Sequence, residues 1–183
     1  EIARLATAPE PYAKRTVEGD LGLFVNAHHL VDRLGREALA RELDMDLEAC
    51  LADYQPIPRT PDQFRLTERL CREAGILALQ RHAGRLRHIY SPQGRQTLAE
   101  GKDLTAVRTL VGTGGALTRL PHRREVLRAL ADCNANRTML FPNPGALHLL
   151  FDNHYTMAAL GVLSKRDPQA ALSLLKQSLG LEE

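Results

Sequence analysis

Val111-Gly112-Thr113-Gly114-Gly115-Ala116 is the stretch on which the reading of this chain turns. Thr105-Ala-Val-Arg-Thr-Leu-Val111, short and rich in β-branched residues, leads into it and reads as a strand. A helical segment follows. Strand, glycines and helix together make a recurrent nucleotide-binding arrangement. Glycines let a ligand approach the backbone, and a helix start offers unpaired N–H groups and a positive dipole end. Thr113 adds a hydroxyl. The spacing is not the dinucleotide fingerprint, because Leu117 stands where a third glycine is needed, and no Gly-Lys-Ser/Thr phosphate loop occurs. On the motif alone, a tight strand-to-helix turn without a ligand fits equally well.

Working outward, Pro121 is followed by a helix expected from His122 to about Ala131. Ala146-Leu-His-Leu-Leu150 reads as a short strand, and helices are expected at 153–164 and 168–179, the last capped by Asp167 and opened by Pro168. Upstream the character is helical. Leu30, Leu34, Ala38 and Leu43 recur on one side, and a shorter helix covers Leu47 to Leu51. Gln55-Pro-Ile-Pro58 breaks the pattern. Thr60, Pro61 and Gln63 then start a helix whose stripe is Leu66, Leu70, Ala74, Leu77 and Ala78. Residues 26 to 90 show no strand signal and are expected to be almost wholly helical. Ser91-Pro-Gln-Gly94 is a turn. Residues 1 to 22 read as loop or short extended structure.

A chain of 183 residues suits one domain, or one domain plus a subdomain. Hydrophobic residues at 44% and charged residues at 25% are ordinary globular values, which argues against disorder. The net charge of +2 is too small for an electrostatic case for nucleic acid. No apolar run reaches the roughly 18 residues that span a bilayer. Cys50, Cys71 and Cys133 are far apart and form no CxxC, which excludes a disulfide scaffold and a structural zinc site and favours the cytoplasm. The first residue is Glu1, so the chain reads as a processed or excised piece of something longer.

Thr16-Val-Glu-Gly-Asp-Leu-Gly22 is the second informative stretch. Glu18, Gly19 and Asp20 precede a helix; the carboxylates suit ribose hydroxyls or a magnesium-bound water, while Asp20 as a plain N-terminal cap is favoured on spacing. The seven histidines make no metal motif. Arg81, His82, Arg85, Arg87 and His88 form a basic cluster, most simply a solvated helix end. Ala158-Ala-Leu-Gly161 is a small-residue face suited to close helix packing. No nucleophile–base pattern is visible, so no catalytic residue is assigned.

Five segments occur in a recognisable order: Lys14-Arg-Thr-Val-Glu-Gly-Asp-Leu-Gly22, Arg81-His-Ala-Gly-Arg85, Gly101-Lys-Asp-Leu104, Val111-Gly-Thr-Gly-Gly-Ala-Leu-Thr-Arg-Leu-Pro121 and Ala158-Ala-Leu-Gly-Val-Leu-Ser164. Together they resemble the accessory proteins of adenosylcobalamin-dependent glutamate (methylaspartate) mutase and related aminomutases. That family shares a short name with a DNA mismatch-repair protein but is unrelated to it. It is similar to the actin, sugar kinase and heat-shock chaperone ATPases, two α/β domains that close on ATP. The resemblance implies an α/β fold, the C-terminal half of an actin-like (ribonuclease H-like) ATPase. Residues 1–25 and 101–183 would form the nucleotide-binding base and 26–100 a large helical subdomain. It implies that Gly112, Thr113, Gly114 and Gly115 hold the adenosine, with Glu18, Gly19 and Asp20 nearby, and that Ala158 to Gly161 packs beneath the site.

No Asp-x-Gly-x-Thr phosphate hairpin occurs, so hydrolysis is not expected from this stretch alone. ATP and magnesium are expected cofactors of the full-length protein. The expected partners are cobalamin-dependent mutase subunits and the missing N-terminal half of the same protein. The leading expectation is the adenosine-side half of an ATP-dependent reactivating chaperone. The competing readings are a non-enzymatic helical interaction module and part of a sugar-kinase-like phosphotransferase.

Overall fold

The computed structural model describes residues 3–4, 17–92 and 94–181. Its spine is a long helix, α4, and the labels that follow run in chain order. Three short helices, α1 (Ala27–Leu34), α2 (Arg36–Leu43) and α3 (Leu47–Ala52), precede α4 (Pro61–His82). Gly35 separates α1 from α2 at φ +83, a left-handed conformation open to glycine. Asp46 starts α3 by accepting from the Ala49 amide at 3.1 Å. The Thr60 hydroxyl starts α4 by accepting from the Gln63 amide at 3.2 Å. Gln63 reaches back one residue further than a capping box requires, accepting from the Arg59 amide at 2.9 Å, and donates to the Asp53 carbonyl at 2.7 Å. Buried Gln63 thereby stitches the proline loop to α4.

The two sides of α4 face two cores. Leu66, Leu70 and Leu77 meet Leu30, Val31, Leu39 and Leu47 of the short helices. Each fully buried leucine contributes roughly 1.5–3 kcal/mol of transfer free energy. Cys71 faces the second core, with Leu120, Val126 and Leu130. Here α5 (Gly114–Arg119) and α6 (Arg123–Ala131) pack on α4. Gly75 makes the close approach possible, since a Cβ there would lie 2.4 Å from the Leu130 side chain. Glu68 of α4 tightens the same seam: it accepts from the His122 amide at 2.8 Å and pairs with the ring Nδ1 at 3.0 Å.

Two small sheets complete a mixed α/β structure. In the first, β1 (Ala3–Arg4) lies parallel to β3 (Gly94–Glu100), which pairs antiparallel with β2 (Arg85–Ser91). The register runs from Arg85 opposite Glu100 to Ser91 opposite Gly94. Three chain segments cross at Gly84: its amide donates to the Lys102 carbonyl and its carbonyl accepts from the Leu140 amide, both at 2.6 Å. A Cβ at Gly84 would sit 2.5 Å from the Glu100 carbonyl oxygen. In the second sheet β4 (Thr109–Gly112) pairs parallel with β5 (His148–Phe151), followed by α7 (Met157–Leu163) and α8 (Pro168–Leu179). Asp167 caps α8 through the Ala170 amide at 2.9 Å, with Pro168 in the first turn, as its sequence indicates.

The helical reading of residues 26–90 is corrected at its end. Helix stops at His82, and β2 and β3 pair as a hairpin that closes with Ser91 opposite Gly94. Arg87, His88, Ile89 and Tyr90 are all exposed, so the strand lacks the apolar alternation that would announce it. The strand read at 105–111 begins only at Thr109. The Asp103 carboxylate accepts from the Thr105 amide at 3.0 Å and from its hydroxyl at 2.6 Å, and Val107 bonds back to Leu104, so the preceding residues turn instead. The helix read at 153–164 starts at Met157, after Tyr155 at φ +56. The small-residue face of α7 does not pack: Ala158, Ala159 and Gly161 are exposed. Lys14 to Thr16, which open the first of the five ordered segments, lie outside the described residues. No helix of the described residues is long and apolar enough to cross a membrane.

Candidate functional site

The glycine turn sits where β4 ends, beside the end of β5, and its glycines have three different reasons to be glycine. Gly112 is buried, and a Cβ there would meet the Phe151 ring at 3.2 Å and Leu127 at 3.3 Å, so it serves packing. Gly114 holds φ +87, so it serves the turn. Gly115 has neither constraint: a Cβ would meet nothing within 4 Å, and its backbone is ordinary. Packing does not explain Gly115, and the space beside it is open.

That space is part of a cavity of about 650 Å³ between the glycine turn and the helical layer. Gly115, Ala116, Arg119 and Leu120 line one side; Leu23, Phe24, Tyr54 and Phe64 line the other, with Pro56 to Pro58 at its edge. Small-molecule sites run from about 300 to 1,000 Å³ and are mostly apolar with a few placed polar groups. The polar groups here are Arg119, whose guanidinium makes no ion pair among the described residues, and a hydroxyl pair. Tyr54 Oη lies 2.7 Å from Thr67 Oγ1, and Thr67 also donates to the Gln63 carbonyl at 2.7 Å. Burial pushes the Tyr54 phenol up, against the pull of the Thr67 hydrogen bond.

Thr113 does not cap α5 with its side chain. Its hydroxyl donates at 2.8 Å to Asp152, a fully buried carboxylate one residue past β5 that sequence reasoning did not single out. Asp152 also accepts from the Ser178 hydroxyl at 2.5 Å and from the Thr156 and Met157 amides at 3.0 and 2.9 Å. Burial alone would raise its pKa. The Ser178 hydroxyl, the two amides and Thr113 outweigh burial and bring it down to about 2. One side chain therefore ties the glycine turn to the start of α7 and to α8. Its sequence signal is a carboxylate at the C-terminal end of a parallel strand, where sites gather in open α/β sheets.

Glu18 and Asp20 are held elsewhere. Arg81, in the last turn of α4, donates to Glu18 at 2.6 Å and to both Asp20 oxygens at 2.9 and 2.8 Å. The Arg81 hydrogen bond is the chief cause that lowers Asp20 below the usual carboxylate range. Asp20 caps no helix, which corrects the capping reading; the residue before α1 is Asn26, whose side chain donates to the Gly19 carbonyl at 2.7 Å. No hydrogen bond or ion pair joins residues 18–20 to the glycine turn among the described residues. The two segments converge instead through Leu23 and Phe24, which line the cavity with Gly115. Among the described residues no group of three or more His, Cys, Asp or Glu is placed to hold a metal ion.

Comparison with known proteins adds the lineage. The family model described as MutL protein matches residues 1–179. The curated Protein MutL of Clostridium tetanomorphum is 33% identical over 177 residues, a match that takes in 93% of this chain and 38% of that relative. The chain thus spans well under half the length of this relative. No solved structure matches the chain.

Proposed function

The chain belongs to the MutL protein family, and from that premise we propose that it is the adenosine-binding part of a longer ATP-dependent factor that reactivates a cobalamin-dependent glutamate mutase. Gly115 carries this reading: it is a glycine that neither packing nor backbone demands, opening on a nucleoside-sized apolar cavity. Phe24, Tyr54 and Phe64 offer aromatic surface for a base, and Arg119 offers a guanidinium that stacks on or pairs with a nucleotide. Thr113 holds the turn in place through its hydroxyl bond to Asp152. ATP would supply the free energy for domain closure of the kind actin-like ATPases use. The phosphate and magnesium contacts belong to the part of the protein beyond this chain, which is also its nearest partner; the mutase is the second. Three free thiols fit a cytoplasmic setting.

The test is Gly115→Val in the full-length protein. Gly114 is the poorer choice, because any side chain at its φ of +87 strains the turn whatever binds there. At Gly115 an added Cβ meets nothing within 4 Å and the γ-methyls extend from it into the open cavity side, so stability should change by no more than about 0.5–1 kcal/mol. ATP affinity, read by calorimetry, should fall at least tenfold. Unchanged affinity in the folded variant would move the nucleotide elsewhere.

A further inference from the structure

A second cavity, of about 280 Å³, opens where the loop after α6 meets the segment leading into β4. Its floor is apolar: Leu140 and Phe141 are buried, with Leu86 and Met139 beside them. Its rim carries Arg108, Arg137 and Asn143, and no carboxylate lines it. Neither guanidinium forms an ion pair or hydrogen bond among the described residues, and the Asn143 side chain is likewise unpaired. The nearest acidic side chains along the chain are already engaged. Asp132 accepts from the Gly145 amide at 2.8 Å, and Asp103 accepts from Thr105.

The backbone adds an independent observation. Arg137 sits at φ +54, a conformation uncommon for a long side chain. Asparagine tolerates it best, yet Asn136, one residue earlier, does not take it and instead accepts from the Thr138 hydroxyl at 2.9 Å. The loop is held in this shape by buried Asn134, which donates to the Met139 and Phe141 carbonyls at 3.1 and 2.8 Å and accepts from the Met139 amide at 3.0 Å. Strain that the surroundings over-determine collects at functional positions. Two like charges over an apolar floor, with no counter-charge in the cavity, favour an anion between them.

We propose that this cavity binds a small organic anion, its carboxylate or phosphate held by Arg108, Arg137 and the Asn143 amide and its short apolar body resting on Leu140 and Phe141. The site is separate from the glycine turn and does not depend on nucleotide. The full-length protein is titrated calorimetrically at low ionic strength with 3-methylbutyrate, isobutyl phosphate and inorganic phosphate. At least one organic anion should bind ten times more tightly than inorganic phosphate, and which one does so identifies the head group. Arg108→Ala should weaken that binding at least tenfold with the fold intact, since the side chain makes no bond of its own. Arg137→Gly should weaken binding similarly while raising the unfolding midpoint, because glycine adopts the positive φ without strain. No binding by either organic anion, equal binding of inorganic phosphate, or full affinity in Arg108→Ala would overturn the proposal. A lower midpoint in Arg137→Gly would remove the strain from the argument and overturn the role given to Arg137.

Discussion

The helical layer and the glycine-turn half of the molecule are held by different forces. In the helical layer Leu30, Leu39, Leu66 and Leu70 are no more than 1% exposed and interlock without a charged group among them. In the other half the most buried groups are polar: Asp152 and Ser178 are wholly inaccessible and bonded to each other. Leu127 and Phe151 are buried beside them, but α7 and α8 also leave apolar side chains in solvent, with Val162 at 70% and Leu172 at 55% exposure. A helical layer centred on leucines contrasts with a region that sets a hydrogen-bond knot beside its apolar core and whose last two helices leave apolar surface uncovered. The second arrangement suits a part that moves with, or docks against, something else.

Removing the knot should have the largest effect. Asp152→Ala leaves Ser178, Thr113 and two amides without their shared acceptor, and should cost roughly 4 kcal/mol in chemical denaturation. The wild-type contribution is also pH-dependent. Asp152 titrates at about 2, below the ordinary 3.8, so its stabilisation is complete above the ordinary value and is lost as the pH falls through about 4 to 2. A wild-type and Asp152→Ala difference that stays constant down to pH 2 would break the contrast between the halves. Leu66→Ala is the matching change in the helical layer. It should cost about 3 kcal/mol through the lost burial and the cavity left behind, and that loss should not vary with pH. The smallest effect belongs to the seam between the halves. Glu68 raises the His122 pKa, chiefly by its hydrogen bond. A His122→Ala variant should therefore be slightly less stable than wild type below about pH 6.5, and the two should converge as the pH rises through the raised value. Unfolding midpoints measured across that range decide it.

The sequence announces these elements unevenly, and the reason is local against distant information. Thr60-Pro61 and Asp167-Pro168 mark helix starts because a cap and its amide lie three residues apart. The glycine turn is legible for the same reason. The hairpin is not, because Arg87 and Tyr90 sit on opposite faces of a ribbon exposed on both sides, and only its turn leaves a trace. The overlong strand before Val111 reflects β-branched residues whose backbone Asp103 diverts. At the candidate site, the residues around Gly115 are found from sequence, but the aromatic wall of Phe24, Tyr54 and Phe64 comes from a layer read only as helical packing. Asp152 escapes because its side-chain partners include Thr113 and Ser178, which no short window joins to it. Glu18 and Asp20 stand out in sequence as neighbouring carboxylates, but the partner that joins them, Arg81, lies an entire helical layer away in the chain.

The crossing at Gly84 bears on the order in which the chain assembles. Its bonds join the end of α4 to the residues after β3 and to the loop beyond α6, three places far apart in sequence. Contacts between distant segments form slowly, because the loop between them must close before either end is rewarded, whereas a helix such as α4 is built from neighbours. Gly84 is therefore a late clasp. The bond to Leu140 closes the longest of these loops, so it is expected to form after α4 and the β2–β3 ladder, both of which are built from nearer neighbours.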